Sequence, residues 1–313
     1  GWKYTSAAGD EIETYDASGL LLEAANRAGA RTSLTYSSGT SNDASVSRYP
    51  GNAPVCSAIH PAMPNGNPLA ARRLLCVTDP DGRQINFQYD SQTATRIIVL
   101  IDPAGGEYQF EYDGVSGGCA TPGSDTPKCT ARNLTKVTYP DGPARVYHYN
   151  ESANINGGAA CAGLTNGLLN NLTGITDENG SRFADYTYDC LGRTTGTQHA
   201  GGVEKATFAY NAGGTTTVAD YVGNPGAPAI TGRKYSFQTT LGVPRTSGVV
   251  DPATRLPAPC AGCGSTASSS YDANGNVASR TDWNGNRTNY AYDLARNLET
   301  SRTEGLTSTG AVS

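Results

Sequence analysis

One spacing constrains this chain more than any other: a glycine followed seven residues later by a tyrosine. It joins Gly29 to Tyr36, Gly82 to Tyr89, Gly105 to Tyr112, Gly142 to Tyr149 and Gly285 to Tyr292, and it stretches by one from Gly180 to Tyr188 and from Gly202 to Tyr210. A β-bulge absorbs one extra residue of that kind. Self-similarity at a fixed spacing marks a repeat architecture. The fullest unit runs Tyr271-Asp272-Ala273-Asn274-Gly275, then Asp282-Trp283-Asn284-Gly285, then Tyr290-Ala291-Tyr292-Asp293, with its two Tyr-Asp pairs twenty-one residues apart. Tyr290 and Tyr292 share a face of a strand. Asn284-Gly285 supplies the positive φ angles of a tight hairpin turn. The unit reads as strand, turn, strand.

The strand before each tyrosine alternates. Ile85, Phe87 and Tyr89 fall on one face, with Asn86 and Gln88 on the other. Tyr108, Phe110 and Tyr112 repeat the pattern, and Tyr147-His148-Tyr149 and Tyr186-Thr187-Tyr188 are shorter versions. Such alternation predicts antiparallel strands with one face in water. Composition agrees: 38 Gly and 18 Tyr, against 5 Phe and 1 Met, suit short strands and tight turns rather than helices. The expected fold is all-β, an antiparallel hairpin-repeat array over residues 1–313 that forms a curved sheet, shell or β-solenoid-like segment, without a domain boundary.

A formal charge of −5 excludes a nucleic-acid binder of the usual basic kind. No apolar run reaches the length of a membrane span. Gly1-Trp2-Lys3 opens in mid-pattern without a signal peptide, so the chain is expected to be a piece of a longer polypeptide.

Insertions rich in Gly, Pro, Ser or Asn interrupt the repeat near residues 40–76, 114–132, 151–170 and 243–268. The eight cysteines, Cys56, Cys76, Cys119, Cys129, Cys161, Cys190, Cys260 and Cys263, sit in or beside them. That usage favours an oxidising compartment. Cys260-Ala261-Gly262-Cys263 as a zinc half-site would need two further ligands, but the chain has no second such motif and three histidines, His60, His148 and His199. As a redox pair it lacks the strand-then-helix setting that lowers a thiol pKa. A local disulfide fits better. Cys56–Cys76 and Cys119–Cys129 are the next expected pairs and Cys161–Cys190 is what remains, although spacing does not fix connectivity.

Tyr-Asp-x-x-Gly units near a twenty-one-residue period, with an Asp-x-x-Gly turn between them, resemble the YD repeats of the RHS family, large bacterial surface and secreted proteins with teneurins as animal relatives. The resemblance rests on Tyr15-Asp16 to Gly19, Tyr188-Asp189-Cys190-Leu191-Gly192-Arg193, Tyr271-Asp272 to Gly275 and Tyr292-Asp293. Weaker units stand at Tyr89-Asp90, Tyr112-Asp113, Tyr149-Asn150 and Tyr210-Asn211. It implies a long β-sheet spiralling into a hollow shell. In toxin-bearing members the shell encloses a C-terminal effector, and in teneurins it belongs to an adhesion ectodomain. The family's boundary motif, Asp-Pro-x-Gly-Leu, is absent. Asp102-Pro103-Ala104-Gly105-Gly106 approaches it but lies inside a repeat turn. Toxin activity is not expected of these residues.

Other constellations read as structure. Asp79, Asp102, Asp141, Asp177 and Asp282 recur like a row of catalytic or calcium-binding carboxylates. Glycoside hydrolysis needs two carboxyls in unlike environments, however, and no EF-hand loop is present. Turn capping accounts for all five, and for the Asp of each Tyr-Asp. The tyrosines could form a sugar platform, but their registry with the strands favours stacking within the sheet. Trp2 or Trp283 would be a better sugar contact. His148 has no nucleophile elbow to serve. Asn133-Leu134-Thr135, Asn171-Leu172-Thr173 and Asn286-Arg287-Thr288 fit the N-glycosylation pattern, as an Asn- and Thr-rich chain does by chance.

The expected function is a non-enzymatic structural repeat segment of a secreted or cell-surface protein of a bacterial envelope, building part of a β-shell or fibre. The alternative is an adhesion module that binds carbohydrate or a cell surface through its insertion loops. A hydrolase or toxin ranks third. No cofactor or metal is expected. The expected partners are flanking segments of its own longer chain, polysaccharide or a cell-surface receptor, and further copies joined end to end through unpaired edge strands.

Overall fold

The computed structural model describes residues 1–6, 10–40, 48–58, 60, 68–90, 96–113, 133–164, 167–212, 214–221, 229–250 and 266–306. The alternating runs become strands and the Gly-centred stretches become turns, in two compact units. The first comprises Gly1–Tyr149 and Ile175–Ser181. It holds β1 (Trp2–Thr5), β2 (Glu11–Tyr15), β3 (Leu21–Asn26), β4 (Arg31–Ser37), β5 (Arg48–Tyr49), β6 (Leu74–Thr78), β7 (Gln84–Tyr89), β8 (Ile97–Ile101), β9 (Glu107–Tyr112), β10 (Leu134–Thr138) and β11 (Ala144–Tyr149). Each pairs antiparallel with the next, except that β4 pairs with both the short β5 and β6.

β12 (Leu172–Thr176) has residues in both units. The second unit, Asn150–Gly174 with Arg182–Ser313, contains two short 3-10 turns and then β13 (Arg182–Tyr188), β14 (Thr194–His199), β15 (Ala206–Asn211), β16 (Thr215–Tyr221), β17 (Ala229–Thr240), β18 (Val243–Val250), β19 (Thr266–Tyr271), β20 (Val277–Thr281), β21 (Arg287–Asp293) and β22 (Leu298–Leu306). From β13 onward every strand pairs antiparallel with its successor. The fold is all-β. None of the described helical turns is long and apolar enough to cross a membrane.

A bulge recurs where a repeat tyrosine meets the following strand. Thr14 and Tyr15 face Glu23 and Leu21, passing over Leu22. The same skip occurs at Tyr36 over Leu75, Tyr89 over Ile98, Tyr112 over Thr135, Tyr188 over Thr195, Tyr271 over Ala278 and Tyr292 over Thr300. The bulge thus recurs at units of ordinary spacing and is not a device reserved for stretched ones, whereas Tyr210, whose spacing is stretched, meets Thr216 in unbroken register. The bulge bends the strand just as the chain enters its next turn.

A single-layer sheet leaves most side chains half-buried, and full burial concentrates in the first unit, where Cys56, Leu69, Leu75, Cys76 and Tyr89 cluster with Phe87 and Ile97 against them. The expectation of one face in water fails here. Asn86 is 2% exposed while Ile85 is 37% exposed. The cause is the first insertion, which lies on the Asn86 side. The Ala58 N–H donates to Asn86 Oδ1 (3.3 Å), Asn86 Nδ2 donates to Ser57 Oγ (3.0 Å), and Gln84 Nε2 donates to the Val55 carbonyl (2.9 Å). Polar side chains that would face water are hydrogen-bonded instead, as burial demands.

Insertion boundaries also shift. Within 40–76, Arg48–Tyr49 form a strand. Within 243–268, Val243–Val250 and the start of Thr266–Tyr271 are strands, so only 251–265 lies between them. Residues 114–132 and 251–265 fall outside the described residues.

Candidate functional site

The chemistry of this chain is that of its repeating hairpin. Seven turns open on an aspartate whose Oδ1 accepts the backbone N–H groups two and four residues on. For Asp272 the donors are Asn274 and Asn276, both at 2.9 Å. Asp16, Asp79, Asp102, Asp177, Asp189 and Asp282 do the same. Asp293 caps the Ala295 N–H. The backbone closes the turn: Asp272 N–H donates to Asn276 O (2.9 Å) and Gly275 N–H to Asp272 O (3.0 Å).

Gly275 holds φ +81°, a conformation that favours glycine, and a Cβ there would sit 2.8 Å from Arg245 Nη2 and push that guanidinium aside. Two expectations are corrected. In the 282–286 turn the positive φ falls on Gly285 (+83°) and not on Asn284, so this is a five-residue turn rather than a two-residue hairpin. At 139–143 the turn opens on Tyr139, which leaves Asp141 in its third position rather than the capping one.

At Asp16, Asp79, Asp189, Asp272, Asp282 and Asp293 the cap holds the carboxyl below the usual carboxylate range. For Asp16 the Ser18 hydroxyl is the main cause, followed by the Leu20 N–H. Asn286 leads for Asp282, and the Arg296 guanidinium for Asp293. At Asp79, Asp189 and Asp272 partial burial pulls upward. Hydrogen bonds from Arg83, Arg193 and Asn276 with the turn amides outweigh it.

A repeat tyrosine closes the other end of six hairpins. Its hydroxyl reaches back to the preceding strand and donates to a main-chain carbonyl: Tyr36 to Leu21, Tyr89 to Leu74, Tyr112 to Ile97, Tyr188 to Leu172, Tyr210 to Thr194 and Tyr271 to Thr246, at 2.7–3.0 Å. Burial raises the phenol pKa of Tyr36, Tyr89, Tyr112 and Tyr188, which keeps each hydroxyl a donor.

An arginine directly precedes four of these acceptors: Arg73, Arg96, Arg193 and Arg245. Three guanidinium groups cover the tyrosine ring, at 5.3 Å over Tyr112, 4.2 Å over Tyr210 and 5.5 Å over Tyr271. Arg96 Nη1 and Arg245 Nε are shielded from solvent without a hydrogen-bond partner among the described residues, so the ring is what receives the charge. At these three tyrosines the ring meets an arginine, while Tyr15 stacks on Trp2 at 4.1 Å and Tyr108 meets Tyr139 edge-on at 5.9 Å. Sequence reasoning missed the arginines. Their signal was there, because Arg73, Arg96 and Arg193 stand sixteen or seventeen residues before a repeat tyrosine.

Two disulfides tie insertions to the sheet, Cys56–Cys76 in the first unit and Cys161–Cys190 in the second. Cys119, Cys129, Cys260 and Cys263 are outside the described residues. The third insertion is also held by charge. Glu151 accepts from both Arg182 terminal nitrogens (2.6 and 3.1 Å) and from Thr173 Oγ1 (2.7 Å), and Arg182 Nε donates to Asp185 Oδ1 (2.8 Å). The guanidinium lies flat over Gly174, where a Cβ would strike it.

His148 meets Thr176 Oγ1 at 2.8 Å. Among the described residues no group of three or more His, Cys, Asp or Glu is placed to hold a metal. The second unit also carries two hollows, of about 370 Å³ across β18–β20 and about 330 Å³ across β13–β15.

The sequence model of the RHS repeat matches residues 271–309, the unit opening on Tyr271-Asp272. No curated protein matches the sequence. Among solved structures, the Tc holotoxin pore of Photorhabdus luminescens aligns with 96% of this chain and 15% of its own, at 10% identity and a TM-score of 0.38. TcdB2–TccC3 without its hypervariable C-terminal region aligns with 94% of this chain and 15% of its own, at 10% identity and a TM-score of 0.36. This chain therefore spans about 15% of the length of those proteins.

Proposed function

We propose, from the premise that this is an RHS-repeat chain, that it is a non-enzymatic wall segment of a secreted or cell-surface protein, and that in the full-length polypeptide the wall encloses a C-terminal effector. The observation that carries the reading is the recurrence of one lock, tyrosine hydroxyl to preceding-strand carbonyl, in hairpin after hairpin. A wall needs the same contact many times. Catalysis needs a few groups gathered in unlike environments, whereas the capping carboxylates repeat one environment.

The two disulfides suit an oxidising compartment. On this reading the principal partners are flanking segments of the same polypeptide. The test uses the natural full-length protein with a protease site added at the start of its C-terminal portion. After cleavage the fragment should co-elute with the repeat portion and resist digestion until denaturant is added. A fragment that separates under native conditions defeats the enclosure, and filaments in electron micrographs would favour a fibre instead.

A further inference from the structure

The hollow of about 330 Å³ lies across β13–β15 with an opposed charge at each side, Asp185 and Lys205. The ladder arranges its lining in two rows. In the first, Asp185 faces Gln198, and Lys205, just before the Ala206 that pairs with Thr197, stands beside Gln198 on the far side. In the second, Thr187 faces Gly196, which in turn faces Thr207. Gly196 is buried and forms the floor, where a Cβ would sit 2.7 Å from Thr187 Oγ1. The volume falls within the range of small-molecule sites, about 300–1,000 Å³.

The two charges are held apart and neither is cancelled. Arg182 is shared between two carboxylates, its terminal nitrogens bonding Glu151 and its Nε bonding Asp185 Oδ1. One guanidinium against two carboxylates leaves the Asp185 wall net negative, and Asp185 Oδ2 has no hydrogen-bond partner among the described residues. At the opposite wall the Tyr221 N–H donates to the Lys205 carbonyl at 2.8 Å. The Lys205 ammonium leans over the Tyr221 ring, 5.3 Å from its centroid, on the side away from Asp185. Lys205 makes no ion pair among the described residues, and the Gln198 amide and Thr207 hydroxyl make no side-chain hydrogen bond there. What remains is an acceptor and a cation facing each other across a row of polar groups.

We infer that this hollow binds a single zwitterionic α-amino acid, its ammonium on Asp185 and its carboxylate on Lys205. Size decides between one residue and a peptide. Neighbouring strands lie about 4.8 Å apart, so Asp185 and Lys205, two strands apart, are separated by about 10 Å at the backbone. Strand side chains stand roughly perpendicular to the sheet and carry that gap up to their head groups. Bond lengths put an ammonium and a carboxylate on one carbon about 3 Å apart. A hydrogen bond of about 3 Å at each end brings the reach to about 9 Å. A second residue would add about 3.5 Å and overrun the gap. Charge decides between zwitterion and simple ion, because a ligand with one charge leaves the other wall unmatched. The Gln198 amide and Thr207 hydroxyl suit a small polar side chain such as that of serine. The site belongs to the strands of one unit, so it stands apart from the wall reading.

The probes are L-serine, N-acetyl-L-serine, which lacks the cation, L-serinamide, which lacks the anion, and the dipeptide of two serines, each titrated against the chain by ligand-observed NMR. Serine is expected to bind about tenfold more tightly than any of the other three. Lys205→Gln should bring serine down to the level of serinamide and leave serinamide unchanged. Thr207→Phe puts a ring into the hollow and should abolish serine binding with the circular dichroism unchanged. Should that variant disturb the sheet, the comparison of serine with serinamide in Lys205→Gln decides alone. No binding of serine at millimolar concentration, equal binding of serine and either blocked form, a dipeptide that binds as tightly as serine, or a serine preference untouched by Lys205→Gln overturns the assignment.

Discussion

Removing the Cys56–Cys76 bridge, as Cys56→Ala with Cys76→Ala, sets loop length against burial as the source of a disulfide's contribution. These cysteines are 20 residues apart, and the loop-closure relation assigns such a bridge about 3.3 kcal/mol. Cys161 and Cys190 are 29 apart, for which the same relation gives about 3.6 kcal/mol. On loop length alone the second bridge contributes more, by roughly 0.3 kcal/mol.

Burial reverses that order. Cys56 is 3% and Cys76 0% exposed, packed with Leu69, Leu75 and Tyr89, whereas Cys161 and Cys190 are half-buried. Emptying the buried site adds a cavity cost of ~1 kcal/mol and frees the insertion whose hydrogen bonds satisfy Asn86 and Gln84. The first variant should therefore lose about 4–5 kcal/mol locally and the second no more than its loop term. Native-state hydrogen exchange, read at residues 84–89 and 182–188, measures each unit separately. An equal or larger loss in the Cys161/Cys190 variant would refute the primacy of burial.

Three further outcomes follow from the hairpin geometry. Tyr112→Phe removes the 3.0 Å bond to the Ile97 carbonyl and should cost ~1 kcal/mol in the exchange protection of β8 and β9. Unchanged protection would mean that the ring under Arg96, and not the hydroxyl, is the lock. Gly174→Ala should displace Arg182 from Glu151 and cost roughly 1–2 kcal/mol, since the pair is partly exposed. Proteolysis within 151–164 should quicken in this variant, and an unaltered cleavage rate would count against the ion pair as the tether. Asp79, Asp189, Asp272 and Asp282 have lowered folded pKa values, so their contribution is complete above the unfolded value of about 3.9 and is lost as pH falls through the folded values. Stability should therefore fall steeply below about pH 4, and Asn at Asp79, Asp189 and Asp272 should flatten that fall. A wild-type profile that stays level into strong acid would contradict the caps.

The hairpins were legible in the sequence because the chemistry that makes them is local. Asp272 to Gly275 contains the whole turn, and the alternation before Tyr89 or Tyr112 contains the strand. What could not be read is what crosses between strands. The Arg245–Tyr271 contact joins residues on either side of an insertion, so no short spacing announces it. Asn86 looks like an outward polar residue until Ser57 and Ala58 are seen bonded to it, and nothing in Ile85-Asn86-Phe87 says which face an insertion will choose. Asp141 fits the Asp-x-x-Gly idea in composition but not in register, because Tyr139 takes the opening position.

The tyrosine lock has a consequence for how such a chain matures. Five of the six locks close over fifteen or sixteen residues, and the two bridges close over 20 and 29. Contacts this near in sequence form quickly and need nothing that emerges later. Each hairpin can set in the order in which it is synthesised or exported, on the one just finished. A mistake in one unit then stays within that unit and its neighbours, as in other architectures where repeats touch only the next in line.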